Sequence, residues 1–183
     1  MLKKTFAALF TAFVALHAAP QLSFANDQDV WATTVPAPAC QPVDSFQASK
    51  VRLSNGAYVF RGNSTGTVQF YCPLPLNAFT VANFSHDNDI TKFRIFYRDS
   101  DGTGNAARVT ARLVYRLANG LYAGGSTWNS NISNVTTNTT RIHNNPHDMR
   151  SASLYSFYVT LTRTNTSQDP AFSGIDFPFP AAP

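Results

Sequence analysis

The sequence predicts an all-β domain: an antiparallel β-sandwich, jelly-roll-like in preference to immunoglobulin-like, with one disulfide. Three observations carry that expectation. Apolar and polar residues alternate in several short runs, and a period of two places successive side chains on opposite faces of a strand. Clusters of Gly, Asn, Asp, Ser and Pro separate those runs at roughly ten-residue intervals, the rhythm of sandwich strands. All 10 acidic residues are Asp and none is Glu. Asp favours turns where Glu favours helices, so little helix is expected.

The opening of the chain reads as a leader. Lys3 and Lys4 precede an apolar run over 6–16, and Ser23 and Ala25 supply a small-residue cleavage site. This is the pattern of a secretory signal peptide over 1–25. His17, Pro20 and Gln21 interrupt the run before it reaches membrane-spanning length. No later run approaches that length, so the mature chain is expected to have no membrane span and to be secreted or periplasmic. Losing Lys3 and Lys4 halves the formal charge of +4, leaving a mildly basic domain.

Residues 26–48 read as an extended N-terminal segment, with Pro36 and Pro38 favouring open chain. The sandwich is expected over 49–183. Asn55-Gly56 between apolar runs predicts a tight hairpin that sets Val51 and Leu53 against Tyr58 and Phe60. A strand follows over 67–72, ended by Pro73 and Pro75, which cannot donate to a ladder. A short strand is expected within 77–84, and another over 154–163. In the latter Tyr155, Phe157, Val159 and Leu161 face one way, and Ser156, Tyr158, Thr160 and Thr162 the other. A last strand is expected over 174–177. Cys40 and Cys72, the only cysteines, lack C-x-x-C spacing and read as one disulfide of an exported protein.

The most patterned stretch is 91–117. Phe93, Ile95 and Tyr97 alternate with Lys92, Arg94, Phe96 and Arg98. Beyond a polar turn, Val109, Ala111, Leu113 and Tyr115 alternate with Arg108, Thr110, Arg112, Val114 and Arg116. Read as one hairpin turning near Gly102, it sets Arg98 across from Arg108 and Arg94 across from Arg112. Such a basic face would bind anionic groups through paired donors; a plain solvated outer face explains the same residues.

Other constellations are less complete. Asp99, Asp101 and Asn105 resemble the opening of a calcium loop, yet the distant bidentate Glu and flanking helices are missing. A hairpin turn accounts for the same residues. His86, Asp87 and Asp89 fit either a turn or a catalytic cluster. His143 and His147 have the spacing of a helical zinc pair, but Pro146 lies between them. No G-x-S-x-G is present. Trp31, Trp128, Tyr58, Tyr122 and Tyr158 would stack on sugar rings if exposed, and Trp128 lies in the most polar surroundings. Asn63, Asn83, Asn131, Asn134, Asn138 and Asn165 head N-x-S/T triplets; the short two-lysine leader has a bacterial look, in which case these are turns.

The reading that results is an exported non-catalytic binding module, not an enzyme, for carbohydrate or another anionic envelope polymer. Arg94, Arg98, Arg108 and Arg112 would hold anionic groups and Trp128 would stack. The alternative is a structural or interaction protein of the cell surface recruiting a protein partner through a sheet edge; an Asp/His hydrolase ranks third. No cofactor is expected apart from calcium at the 99–105 loop, and no nucleic-acid partner.

Overall fold

A computed structural model describes residues 31–74, 91–117, 119–147 and 154–178. The expected leader over 1–25, the expected 77–84 strand and the His86–Asp89 cluster lie outside them. In chain order the strands are β1 (Trp31–Pro36), β2 (Gln41–Pro42), β3 (Val51–Ser54), β4 (Ala57–Phe60), β5 (Gly66–Pro73) and β6 (Lys92–Arg98). There follow β7 (Ala107–Leu117), β8 (Gly120–Ala123), β9 (Trp128–Asn129), β10 (Thr139–Asn144), β11 (Leu154–Arg163) and β12 (Ala171–Pro178).

They form two antiparallel sheets. Sheet A runs β10-β6-β12-β4-β3, with β1 also on β12; sheet B runs β2-β5-β11-β7-β8, with β9 also on β7. The chain passes from one sheet to the other at most connections, a jelly-roll-like path. The middle strand of each sheet, β12 or β11, comes from the last part of the chain. The core between the sheets is built from the alternate residues the sequence singled out: Phe93, Ile95 and Tyr97 of β6, Val109, Ala111 and Leu113 of β7, and Phe157, Val159 and Leu161 of β11 are all buried.

The Asn55-Gly56 turn has positive φ at both residues, 50° and 78°, the geometry that matches strand twist in a two-residue hairpin. It pairs Val51 with Phe60 and Leu53 with Tyr58. The Cys40–Cys72 disulfide is present and buried. It fastens the turn after β1, a strand of sheet A, to β5 of sheet B.

The expectation of a hairpin over 91–117 is corrected: β6 pairs with β10 and β12, whereas β7 pairs with β11, β8 and β9 in the opposite sheet. The loop between them crosses the sandwich edge. Alternation dictates which face of each strand is buried, and two strands facing each other across the core satisfy it as well as two side by side. Within the expected 26–48 segment, β1 pairs along β12, and residues 45–48 lie in a short helix, α1 (Ser45–Lys50). Asp44 caps that helix, its carboxylate accepting from the Gln47 amide at 2.7 Å.

Candidate functional site: a tyrosine–arginine row on sheet B

Because the core takes one set of alternate residues, the complementary set of β5, β11 and β7 faces outward. Register places Tyr71 directly across from Tyr158, and Tyr158 directly across from Arg112. The row spans two strand spacings, about 10 Å. The Tyr71 and Tyr158 rings meet edge to face at 5.3 Å, with 61° between planes. The Arg112 guanidinium lies over Tyr158, 5.1 Å from its centroid. Tyr71 is 38% exposed and the other two are half-buried.

The rows beside it are polar. Gln69, Thr160 and Thr110 form the next, where the two threonine hydroxyls hydrogen-bond at 2.6 Å. Thr67, Thr162 and Arg108 form the one after, with the hydroxyls 3.0 Å apart. Arg112 forms no ion pair among the described residues, and its Nε is shielded from solvent without an acceptor. Burial raises the Tyr158 phenol pKa and the neighbouring Tyr71 raises it further, while Arg112 works the other way. The phenol therefore stays a neutral donor at physiological pH. Stacked rings, a cation without a counter-ion and a field of hydroxyls and amide form a surface that is apolar in the middle and hydrogen-bonding at its rim.

The four arginines expected on one basic face are divided between the two sides of the sandwich. Arg94 is ion-paired to Asp176, and Arg98 to Asp169, both on sheet A. Arg108 and Arg112 remain together on sheet B. Trp128 is not a stacking surface: it is 2% exposed and meets Tyr97 edge-on at 4.7 Å in the core. Its polar neighbours in sequence suggest the surface, but as a strand residue paired with Ala111 it points inward.

The 99–105 loop is held by its own acids. The Asp101 carboxylate accepts from the Ala106 and Ala107 amides at 2.6 and 3.1 Å. Asp99 is fully buried and accepts from the Ser130 hydroxyl. Burial, with Asp101 beside it, pushes the Asp99 pKa up to about 6. Asn105 is exposed. Among the described residues no three His, Cys or Asp side chains gather to hold a metal ion. His143 and His147 go separate ways: His143 Nε2 lies 2.9 Å from the Ser126 hydroxyl, and His147 Nε2 3.1 Å from the Tyr155 hydroxyl. Tyr58 donates to the Cys40 carbonyl at 3.1 Å, and Tyr122 stacks on Tyr115 at 5.6 Å.

Tyr158 was thus among the residues the sequence singled out, whereas Tyr71 was missed. Its signal was available, since Thr67, Gln69 and Tyr71 alternate with the core residues Val68, Phe70 and Cys72.

No protein-family model matches the chain, and no curated protein sequence does. Solved structures that resemble it include a low-affinity xylan-binding module, CBM86, from Roseburia intestinalis, at 9% identity and a TM-score of 0.48, covering 80% of this chain and 94% of that one. A mannan-recognising module, TmCBM27, shows 11% identity and a TM-score of 0.44, covering 80% and 95%. A family two carbohydrate esterase from Cellvibrio japonicus shows 11% identity and a TM-score of 0.38, covering 82% of this chain and 36% of that one. At such identities and scores the fold assignment rests on the strand pairing described above, not on these likenesses.

Proposed function

We propose that the chain is a non-catalytic carbohydrate-binding module acting outside the cytoplasm, with the Tyr71–Tyr158–Arg112 row as its platform. The observation that supports this most is the row itself, two tyrosine rings and an arginine without a counter-ion among the described residues, brought into register from three strands. A pyranose ring offers apolar C–H faces and a rim of hydroxyls. Tyrosine rings suit the first, and Arg112, Gln69 and the nearby threonines suit the second. The residues of these rows include no carboxylate or imidazole with which to move a proton, so the surface is one for holding a polymer. The leader over 1–25 and the disulfide both fit an exported protein.

Affinity electrophoresis of the protein through gels containing neutral or acidic polysaccharides tests this reading. Retardation by at least one polymer, lost in Tyr158→Ala and Tyr71→Ala proteins that keep the native circular dichroism spectrum, is the expected result. Retardation that survives both substitutions, or none with any polymer, removes the platform from consideration. A protein partner is the second reading, supported by Ile142 and Leu121, which are exposed on the edge strands β10 and β8.

A further inference from the structure

On the opposite sheet, a cavity of about 290 Å³ opens beside the tip of the β3–β4 hairpin. Its floor is small and apolar: Ala57, Val59 and Ala171. Its rim is polar, with Arg52, Arg98, Asp169, Asn55 and Asn138 among the residues that line it. Register explains the shape. Arg52 pairs with Val59, Val59 with Ala171, and Ala171 with Arg98. The two arginines therefore stand at the ends of one cross-strand row, three strand spacings or about 14 Å apart at the backbone. Only short side chains lie between them.

The two cations are differently prepared. Arg98 Nε donates to the Asp169 carbonyl at 2.7 Å, and its Nη2 donates to the Asp169 carboxylate. Those bonds fix the plane of the guanidinium and, among the described residues, leave Nη1 without an acceptor. Asp169 also lines the cleft and neutralises Arg98, so the cleft's net positive charge is carried by Arg52. Arg52 is exposed and has no ion pair or hydrogen bond among the described residues. A preorganised donor facing a free, adaptable one suits a single carboxylate. The Asn55 and Asn138 amides suit hydroxyls, and the Ala57–Val59–Ala171 floor suits a ring face.

We infer that this cleft is a second binding site, separate from the sheet B platform, that takes a carboxylate-bearing sugar residue such as a hexuronate unit of an acidic polysaccharide. The chemistry calls for the carboxylate and the ring together. A bare anion leaves the apolar floor uncovered, and a neutral sugar leaves Arg52 without a partner.

The test is a residue-resolved NMR titration of the protein with three probes: oligogalacturonate, the neutral galacto-oligosaccharide of equal length, and inorganic phosphate. The expected result is saturable shifts at Asn55, Val59 and Ala171 with oligogalacturonate, weakened by added salt. Affinity should fall by about tenfold or more in Arg52→Gln, as expected for a lost hydrogen bond to a charged group, and stay unchanged in Tyr158→Ala. Arg52 is exposed, so its replacement should leave the fold intact. Equal binding of the neutral oligosaccharide, equal competition by phosphate, unchanged affinity in Arg52→Gln, or no binding at all would each overturn the inference. Loss of oligogalacturonate binding in Tyr158→Ala alone would place the ligand on the platform, overturning the second site while leaving the first standing.

Discussion

Arg112 lies over the ring of Tyr158, 5.1 Å from its centroid, and the two residues are direct cross-strand partners in sheet B. The contact holds the guanidinium over the ring, and among the described residues it has no ion-pair partner. Arg112→Ala should cost folding stability only about 0.5–1 kcal/mol, the scale of a partly exposed cation–π contact. The loss in polysaccharide affinity should be larger than that. Urea denaturation and the gel retardation assay, run on the same protein, separate the two effects. A stability loss with undiminished retardation would assign Arg112 to the fold alone.

Trp128 offers the opposite contrast. As a buried core residue edge-on to Tyr97, its replacement by Ala should destabilise the domain by about 3–5 kcal/mol. Trp128→Phe, which keeps most of the volume, should cost less. In Trp128→Phe protein that remains folded, polysaccharide retardation should match the wild type.

The Cys40–Cys72 bond closes a loop of sequence separation 32. Removing it in the paired Cys40→Ala/Cys72→Ala protein should lower the free energy of unfolding by about 3–4 kcal/mol on the chain-entropy account. The urea midpoint measured with and without reductant checks this, since the double variant should be insensitive to reductant.

Gly174 sits at a bulge in β12 with φ of +153°, and a Cβ there would meet the Val35 carbonyl oxygen at 2.9 Å. That oxygen belongs to β1, which pairs along the same strand, so the backbone has to move. Gly174→Ala should destabilise by about 1–3 kcal/mol, the usual cost of a strained backbone position. A wild-type thermal midpoint in the variant would show that β1 yields freely.

Asp99 predicts a pH dependence of unusual sign. Its folded pKa is raised to about 6 from 3.8, chiefly by burial, with Asp101 adding to the effect. Between those values the folded state binds more protons than the unfolded one, so stability falls as pH rises from about 4 to about 6 and the loss then levels off. Asp99→Asn, which keeps an oxygen for the Ser130 hydroxyl, should flatten that slope. Chemical denaturation at half-unit pH steps from 4 to 7 reads the difference.

The faces of the strands were legible in the sequence, and their neighbours were not. Alternation in 92–98, 107–117 and 154–163 named the buried residues because each strand has one wet and one dry side. The Asn55-Gly56 turn fixed its register because the two strands it joins are adjacent in the chain. No such local signal joins β6 to β12 or β7 to β11, so Arg98 and Arg108, ten positions apart in the sequence, read as neighbours although the sandwich lies between them. The platform was hidden for the same reason. Tyr71, Arg112 and Tyr158 become neighbours only through pairings that span most of the domain, and nothing local marks them as a group. Trp128 misled through composition, since a polar stretch can still supply one residue to the core.

The middle strands of both sheets, β11 and β12, are the last strands to be synthesised among those described. Their partners are remote: the hydrogen-bonded Thr67 and Thr162 are 95 positions apart. As the chain lengthens, β5 and β7 have no strand to join them until 154–163 exists, and β4 and β6 none until 171–178 exists. The growing chain thus holds sheet edges with nothing between them, and folding of the domain waits until 171–178 has been made. Such high contact order predicts assembly in milliseconds to seconds rather than microseconds. It also makes the domain close to indivisible: fragments ending before β11 should remain unfolded, and the chain should stay threadable until its final strands arrive.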